Sequence, residues 1–226
     1  MKKQNTTIQK SLPLIGSAAL LSFALSDTVS AANILLNSGF ENGTAADADD
    51  WLELGTGTAR SDISPRTGGF HAYMSVSNPS TNPPGTANFI EQAGPANIID
   101  NAQNYDLSFY AKVDSTDFTG QDIFFQILWL DADGSDGGGV KGETLTKLIP
   151  AGISTTYQEF GIPNMDAPDG SDSFLLRFQL SAGAVPDITQ GFSVDDASLG
   201  AVVPEPASLG LFSLAGLLTL ARRKRA

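Results

Sequence analysis

The sequence contains no cysteine and a single histidine, His71, among its 226 residues. Without thiols it forms neither disulfides nor thiolate metal sites, and one imidazole cannot build a histidine-based metal cluster. No Gly-x-Ser-x-Gly nucleophile elbow is present. Basic side chains are scarce between the two ends: residues 33–200 carry six, Arg60, Arg66, Lys112, Lys141, Lys147 and Arg177. All of the chain's 25 acidic residues except Asp27 and Glu205 lie in that span, so it stands near −17 where the whole chain is formally −12. Phosphate backbones need the opposite sign, which argues against a nucleic-acid partner. A convincing 3.6-residue apolar period is missing from this span as well, which argues against a helical domain.

What is present begins at the ends. Lys2, Lys3 and Lys10 precede an apolar stretch, 12–25, followed by the small residues Ser30, Ala31 and Ala32. This is the pattern of a secretory signal peptide over residues 1–32, with cleavage expected after Ala32 and a mature start at Asn33. At the other end Val203, Pro204, Glu205 and Pro206 precede an uncharged, Leu-rich run, 207–221, closed by Arg222, Arg223, Lys224 and Arg225. As a helix that run reaches about 22 Å, against a hydrocarbon core of about 30 Å. It is a marginal transmembrane span, extended by snorkelling basic residues that favour the cytoplasmic side. The prolines end the helix and leave an extended, accessible segment. In order and in kind these three parts resemble the PEP-CTERM sorting signal of Gram-negative bacteria. The resemblance implies processing by an exosortase, transient anchoring in the inner membrane, and final residence at the cell envelope, outer surface or extracellular matrix.

The 168 residues from 33 to 200 are enough for one domain with a real core. Short apolar segments separated by Gly, Asn, Asp, Ser, Thr and Pro predict strands at 34–36, 57–61, 70–76, 88–93, 105–113, 123–130, 144–149, 157–162, 174–181 and 192–199. Residues 77–85, with three prolines, read as a surface loop, and 131–139 as a tight acidic turn. The expected fold is all-β, a jelly-roll β-sandwich flanked by an N-terminal signal helix and a C-terminal hydrophobic helix (201–226). Alternation places Leu107, Phe109, Ala111 and Val113 on one side of their strand, and Phe174, Leu176, Phe178 and Leu180 on one side of theirs. On the opposite sides stand Tyr110, Lys112, Gln126, Arg177 and Gln179. If their strands are neighbours, these five gather on one sheet surface as an aromatic ring among hydrogen-bonding groups, a surface suited to sugar.

The start of this domain reads Asn37-Ser38-Gly39-Phe40-Glu41, then Trp51; its end reads Phe192-Ser193-Val194-Asp195-Asp196-Ala197-Ser198-Leu199. The pair resembles the first and last strands of jelly-roll carbohydrate-binding modules, within the wider galactose-binding-like fold. That resemblance implies a structural calcium shared by the two strands, with Glu41 and Asp196 as carboxylate ligands near Asn37 and the 67–69 turn. Hard oxygen ligands of this kind suit calcium. It also places Trp51 in the core, where alternation with Phe125 and Ile127 puts Trp129 too.

Asp131, Asp133 and Asp136 imitate a calcium loop, but the third acid falls where glycine is needed and no glutamate follows at position twelve. His71 reads as a packed or surface residue. The expected function is therefore non-catalytic: a calcium-stabilised carbohydrate-binding domain on an exported surface or matrix protein, with polysaccharide and an exosortase as partners. The alternatives are a structural or adhesive matrix protein without a sugar site, and a weak glycosidase built on paired carboxylates.

Overall fold

Alternating burial along the chain builds two sheets that close on each other. The computed structural model describes residues 32–76, 87–118, 120–131, 139–182 and 189–203. In chain order the strands are β1 (Gly43–Thr44), β2 (Asp47–Ala48), β3 (Leu52–Leu54), β4 (Thr58–Ser61), β5 (His71–Val76), β6 (Ala87–Ala93), β7 (Asn104–Val113), β8 (Asp122–Leu130), β9 (Val140–Lys147), β10 (Gln158–Asp166), β11 (Ser173–Ser181) and β12 (Gln190–Ala201). β1 and β2 form a small hairpin, and the rest make two five-stranded sheets, β10-β7-β12-β5-β4 and β3-β6-β11-β8-β9. Successive strands cross repeatedly from one sheet to the other, and every pairing is antiparallel. The fold is an all-β sandwich of the jelly-roll type, with no helix among the described residues.

The core lies between the sheets. Ala72, Met74, Leu107, Phe109, Ala111, Val113, Phe192 and Val194 enter it from the first sheet. Ile90, Ile123, Phe125, Ile127, Trp129, Phe174, Leu176, Phe178 and Leu180 enter from the second. Phe109 is the hinge of this packing, with ring centroids 4.9 Å from Phe125 and 4.8 Å from Phe178, both edge-on. Edge-to-face contacts of this kind add to what area burial alone contributes.

Nine of the ten sequence-predicted strands overlap observed ones. The exception is 34–36, which is irregular; it touches β12 through one backbone bond, Ile34 N–H to the Leu199 carbonyl, at 2.8 Å. Asn33 replaces the missing ladder: its side chain accepts from Leu199 N–H at 2.9 Å and donates to the Ala197 carbonyl at 3.0 Å. The signal peptide, the loop 77–85, the middle of the acidic turn 131–139 and the C-terminal run lie outside the described residues.

Candidate functional site

Asn37 adopts φ 44° and Phe40 φ 59° in the first turn of the domain, conformations that local side-chain bonding stabilises. The Asn37 side chain accepts from Asn42 N–H (2.9 Å) and donates to the carbonyls of Asn42 and Asp49 (2.8 Å each). Trp51 donates its indole N–H to the Asn37 carbonyl at 3.1 Å and packs on Phe40 at 4.9 Å. The short run 37–41 is thus a clamp that buries Phe40 and projects Glu41.

Glu41 meets the loop before β5. Its carboxylate accepts from Gly69 N–H at 3.0 and 3.1 Å and from Phe70 N–H at 3.3 Å. Gly68 has φ +60°, and a Cβ there would lie 2.0 Å from a Glu41 oxygen, so only glycine serves. From the other end of the chain, a β-bulge in β12 between Asp195 and Ser198 places Asp196 at φ 48°. The bulge aims two carboxylates at the same loop. Asp195 accepts from Arg66 N–H at 2.8 Å and Thr67 N–H at 3.2 Å. Asp196 takes the Thr67 hydroxyl at 2.7 Å and an ion pair with Arg66. Glu41 and Asp196, distant in sequence, do converge on one turn. Asp195 is fully buried, and that burial pushes its carboxyl up to about 6 despite the lowering effect of the Arg66 and Thr67 N–H groups.

The five residues expected on one surface divide between two. Tyr110 and Lys112 lie on the outer face of the first sheet, where Tyr110 pairs with Glu159 and Asp195. Gln126, Arg177 and Gln179 lie on the outer face of the second, on neighbouring β8 and β11. The single five-residue surface does not form, because β7 and β8 are consecutive in sequence but belong to opposite sheets.

On the first sheet Tyr110 is not a bare platform. The Arg66 guanidinium lies 3.3 Å from its ring centroid, and its hydroxyl bonds Glu159 at 3.2 Å. Lys112 donates to the Ser64 carbonyl at 2.9 Å. Nearby, His71 is 1% exposed, and its Nδ1 has no hydrogen-bond partner among the described residues. Burial, reinforced by the Lys112 charge, pushes the imidazole down to about 4, against the opposing pull of Asp114 and Asp62.

On the second sheet the register builds two parallel rows. Phe89, Gln179 and Phe124 stand side by side across β6, β11 and β8; Glu91, Arg177 and Gln126 form the next row. The two half-buried phenyl rings are two strand spacings apart, about 10 Å. Arg177 holds Glu91 at 2.6–2.7 Å and covers the Phe89 ring at 4.5 Å. Gln126 donates to Glu143 at 2.6 Å, and Gln179 donates to Ser181 at 2.8 Å. Sequence reading missed Phe89, Glu91 and Phe124. Their signal was the same alternation that placed Gln126, since Phe124 shares its side and Phe89 and Glu91 alternate within 88–93.

Among the described residues, no group of three or more His, Asp or Glu side chains forms a ready metal cluster. The donors of Glu41 and Asp196 fit a hard cation in kind, being carboxylate oxygens beside a main-chain turn. The N–H, hydroxyl and guanidinium donors named above already engage these oxygens.

Residues 202–225 match the PEP-CTERM protein-sorting motif, which implies export to the cell envelope or surface. No curated protein matches the chain. Several solved structures are similar in fold. One, from work on the promiscuous specificity of carbohydrate-binding modules of the β-sandwich superfamily, has a TM-score of 0.50 at 14% identity, covering 75% of this chain and 63% of that one. An arabinose-bound GH51 α-L-arabinofuranosidase has a TM-score of 0.50 at 18% identity, covering 77% of this chain but only 27% of the enzyme. A third, TmCBM61 in complex with β-1,4-galactotriose, has a TM-score of 0.46 at 17% identity, covering 75% of this chain and 99% of that one. At these identities the likeness is one of fold.

Proposed function

We propose that this is an exported, non-catalytic surface or matrix protein that binds a polysaccharide chain across the outer face of β6, β11 and β8. The observation that carries the reading is the double row on that face: Phe89 and Phe124 flanking Gln179, beside Glu91, Arg177 and Gln126. Apolar ring faces stack on the C–H faces of sugars, and amides and a guanidinium bond their hydroxyls, with buried Glu91 holding the Arg177 guanidinium in place. An open sheet face accepts a chain running across it. The β-sandwich neighbour described as a carbohydrate-binding module supports this use of the fold.

Glu41 and Asp196 supply the ligands for a structural calcium in this proposal. Calcium would draw their carboxylates together with main-chain oxygens of the turn and tie the first strand region to the last. An exosortase cutting the sorting motif would then release the domain to the envelope or matrix.

The test is retention of the purified full chain in gels containing soluble β-1,4-galactan or xylan. Phe124→Ala and Gln126→Ala are expected to reduce retention about tenfold, the loss of a stacking ring or of a hydrogen bond. Tyr110→Ala, on the other face, leaves it unchanged. Equal retention in all variants would overturn the assignment of the face. One observation favours the matrix-protein reading without a sugar site: Arg177, Gln126 and Gln179 already have partners in Glu91, Glu143 and Ser181. That reading predicts no retention by either polysaccharide.

A further inference from the structure

The opposite face holds a second feature that the chain-binding reading does not use. A cavity of about 270 Å³ opens on the outer side of the first sheet, lined by Ser61, Ile63, Ser64, Tyr73, Lys112, Asp114 and Ser193. Its floor follows from register. Ser193 of β12 lies between Tyr73 of β5 and Lys112 of β7, so a small residue sits between two long ones and leaves a hollow. Its end wall is a preformed pair, the Tyr73 hydroxyl donating to Asp114 at 2.7 Å. That pair rests on Gly191, where a Cβ would lie 2.1 Å from the Asp114 oxygen and 2.4 Å from the Tyr73 hydroxyl. The missing side chain at 191 is what lets the wall stand. The rim is the segment before Arg66, tied down where Lys112 donates to the Ser64 carbonyl. Behind the hollow, buried His71 lies edge-on to Tyr73, with ring centroids 6.3 Å apart.

The lining decides the kind of ligand. One cation and one carboxylate face the hollow, so it selects neither anions nor cations. Three serine hydroxyls, a phenol and two charged groups supply hydrogen bonds, while Ile63 and the Tyr73 ring add apolar surface, so the lining is mixed, as a sugar ring with apolar faces and a hydroxyl rim requires. The volume lies just below the usual range for pockets that hold drug-sized ligands. We propose that this cavity is a second, separate sugar site, one that takes a single neutral, hydroxyl-rich ring such as the terminal unit of a glycan. The proposal shares with the previous section only the premise that the protein binds glycan.

Saturation-transfer NMR on the purified full chain tests it, with galactose, arabinose, xylose and glucose offered singly at millimolar concentration. At least one sugar is expected to receive saturation from the protein. Gly191→Ala and Lys112→Met, each checked for a wild-type melting transition, should weaken that binding about tenfold, the loss of a charged hydrogen bond. Phe124→Ala should leave it intact. Silence from all four sugars overturns the proposal. So does transfer that survives both pocket variants or disappears in Phe124→Ala, since the ring is then bound elsewhere. Polysaccharide retention persisting while the single sugars are silent would sink this site alone; single-sugar binding without retention would sink the Phe124 face alone.

Discussion

His71 shows how much one buried side chain can set. It is 1% exposed, lies edge-on to Tyr73 and Tyr157, and is pushed from an ordinary 6.5 down to about 4, chiefly by burial. The folded state therefore binds fewer protons at this site than the unfolded chain between those two values. Its contribution is present above pH 6.5 and is lost as pH falls toward 4, by roughly 3 kcal/mol at the limit. Asp195, pushed up to about 6, acts in the opposite sense over an overlapping window, so the wild-type profile is flattened. The informative quantity is the difference in unfolding free energy between wild type and His71→Gln. That difference is expected to shift in favour of the variant as pH is lowered from 6.5 to 4; a pH-independent difference would contradict the assignment. The burial of His71 was not legible in the sequence. Its position in β5 is on the outward side, opposite Ala72 and Met74, and it is hidden by its neighbours on the sheet surface rather than by the core. By contrast, Trp51 and Trp129 were both expected in the core, one from the resemblance to jelly-roll carbohydrate-binding modules and one from alternation with Phe125 and Ile127, and both are buried.

At the scale of elements, alternation was a reliable guide to faces and a poor one to neighbours. Leu107, Phe109, Ala111 and Val113 of β7, and Phe174, Leu176, Phe178 and Leu180 of β11, are all buried as the pattern predicted. Period-two patterning says which side of a strand is wet, but strand order is fixed by pairing between segments far apart in sequence. Tyr110 and Arg177 were each placed on the outward side correctly, yet they end on opposite sheets. The hairpin β1–β2 and the three-residue β3 escaped notice because two or three residues show no period. The same packing gives a sharp expectation for Phe109, fully buried between Phe125 and Phe178. Phe109→Ala leaves a ring-sized void where both sheets meet and is expected to cost about 3–5 kcal/mol in denaturant unfolding. A cost under about 1 kcal/mol would mean the sheets close over the gap.

At the scale of the whole molecule, the two ends of the domain meet. Glu41 near the start and Asp195 and Asp196 near the end all bind the Arg66–Phe70 loop. Calcium at Glu41 and Asp196 is testable by thermal unfolding of the full chain with calcium and then with excess chelator. A ligand bound only by the folded state stabilises it by about 2.7 kcal/mol at a hundredfold excess over its dissociation constant, and so raises the midpoint with its free concentration. The expected drop on chelation should vanish in Glu41→Ala; an unchanged midpoint in the wild type would remove calcium from the description.

The placement of β12 has a mechanical consequence. It is a central strand of twelve residues, paired with β5 on one side and β7 on the other, and Val202 extends the contact through Asn104. Ladder bonds in an antiparallel sheet run perpendicular to the strands. A pull on the chain beyond Val203, directed along β12, therefore loads many bonds together in shear, where an edge strand peeled sideways would release them one at a time. Tension applied at the sorting-motif end is thus met by a strand paired on both sides, and the fold resists extraction from that end.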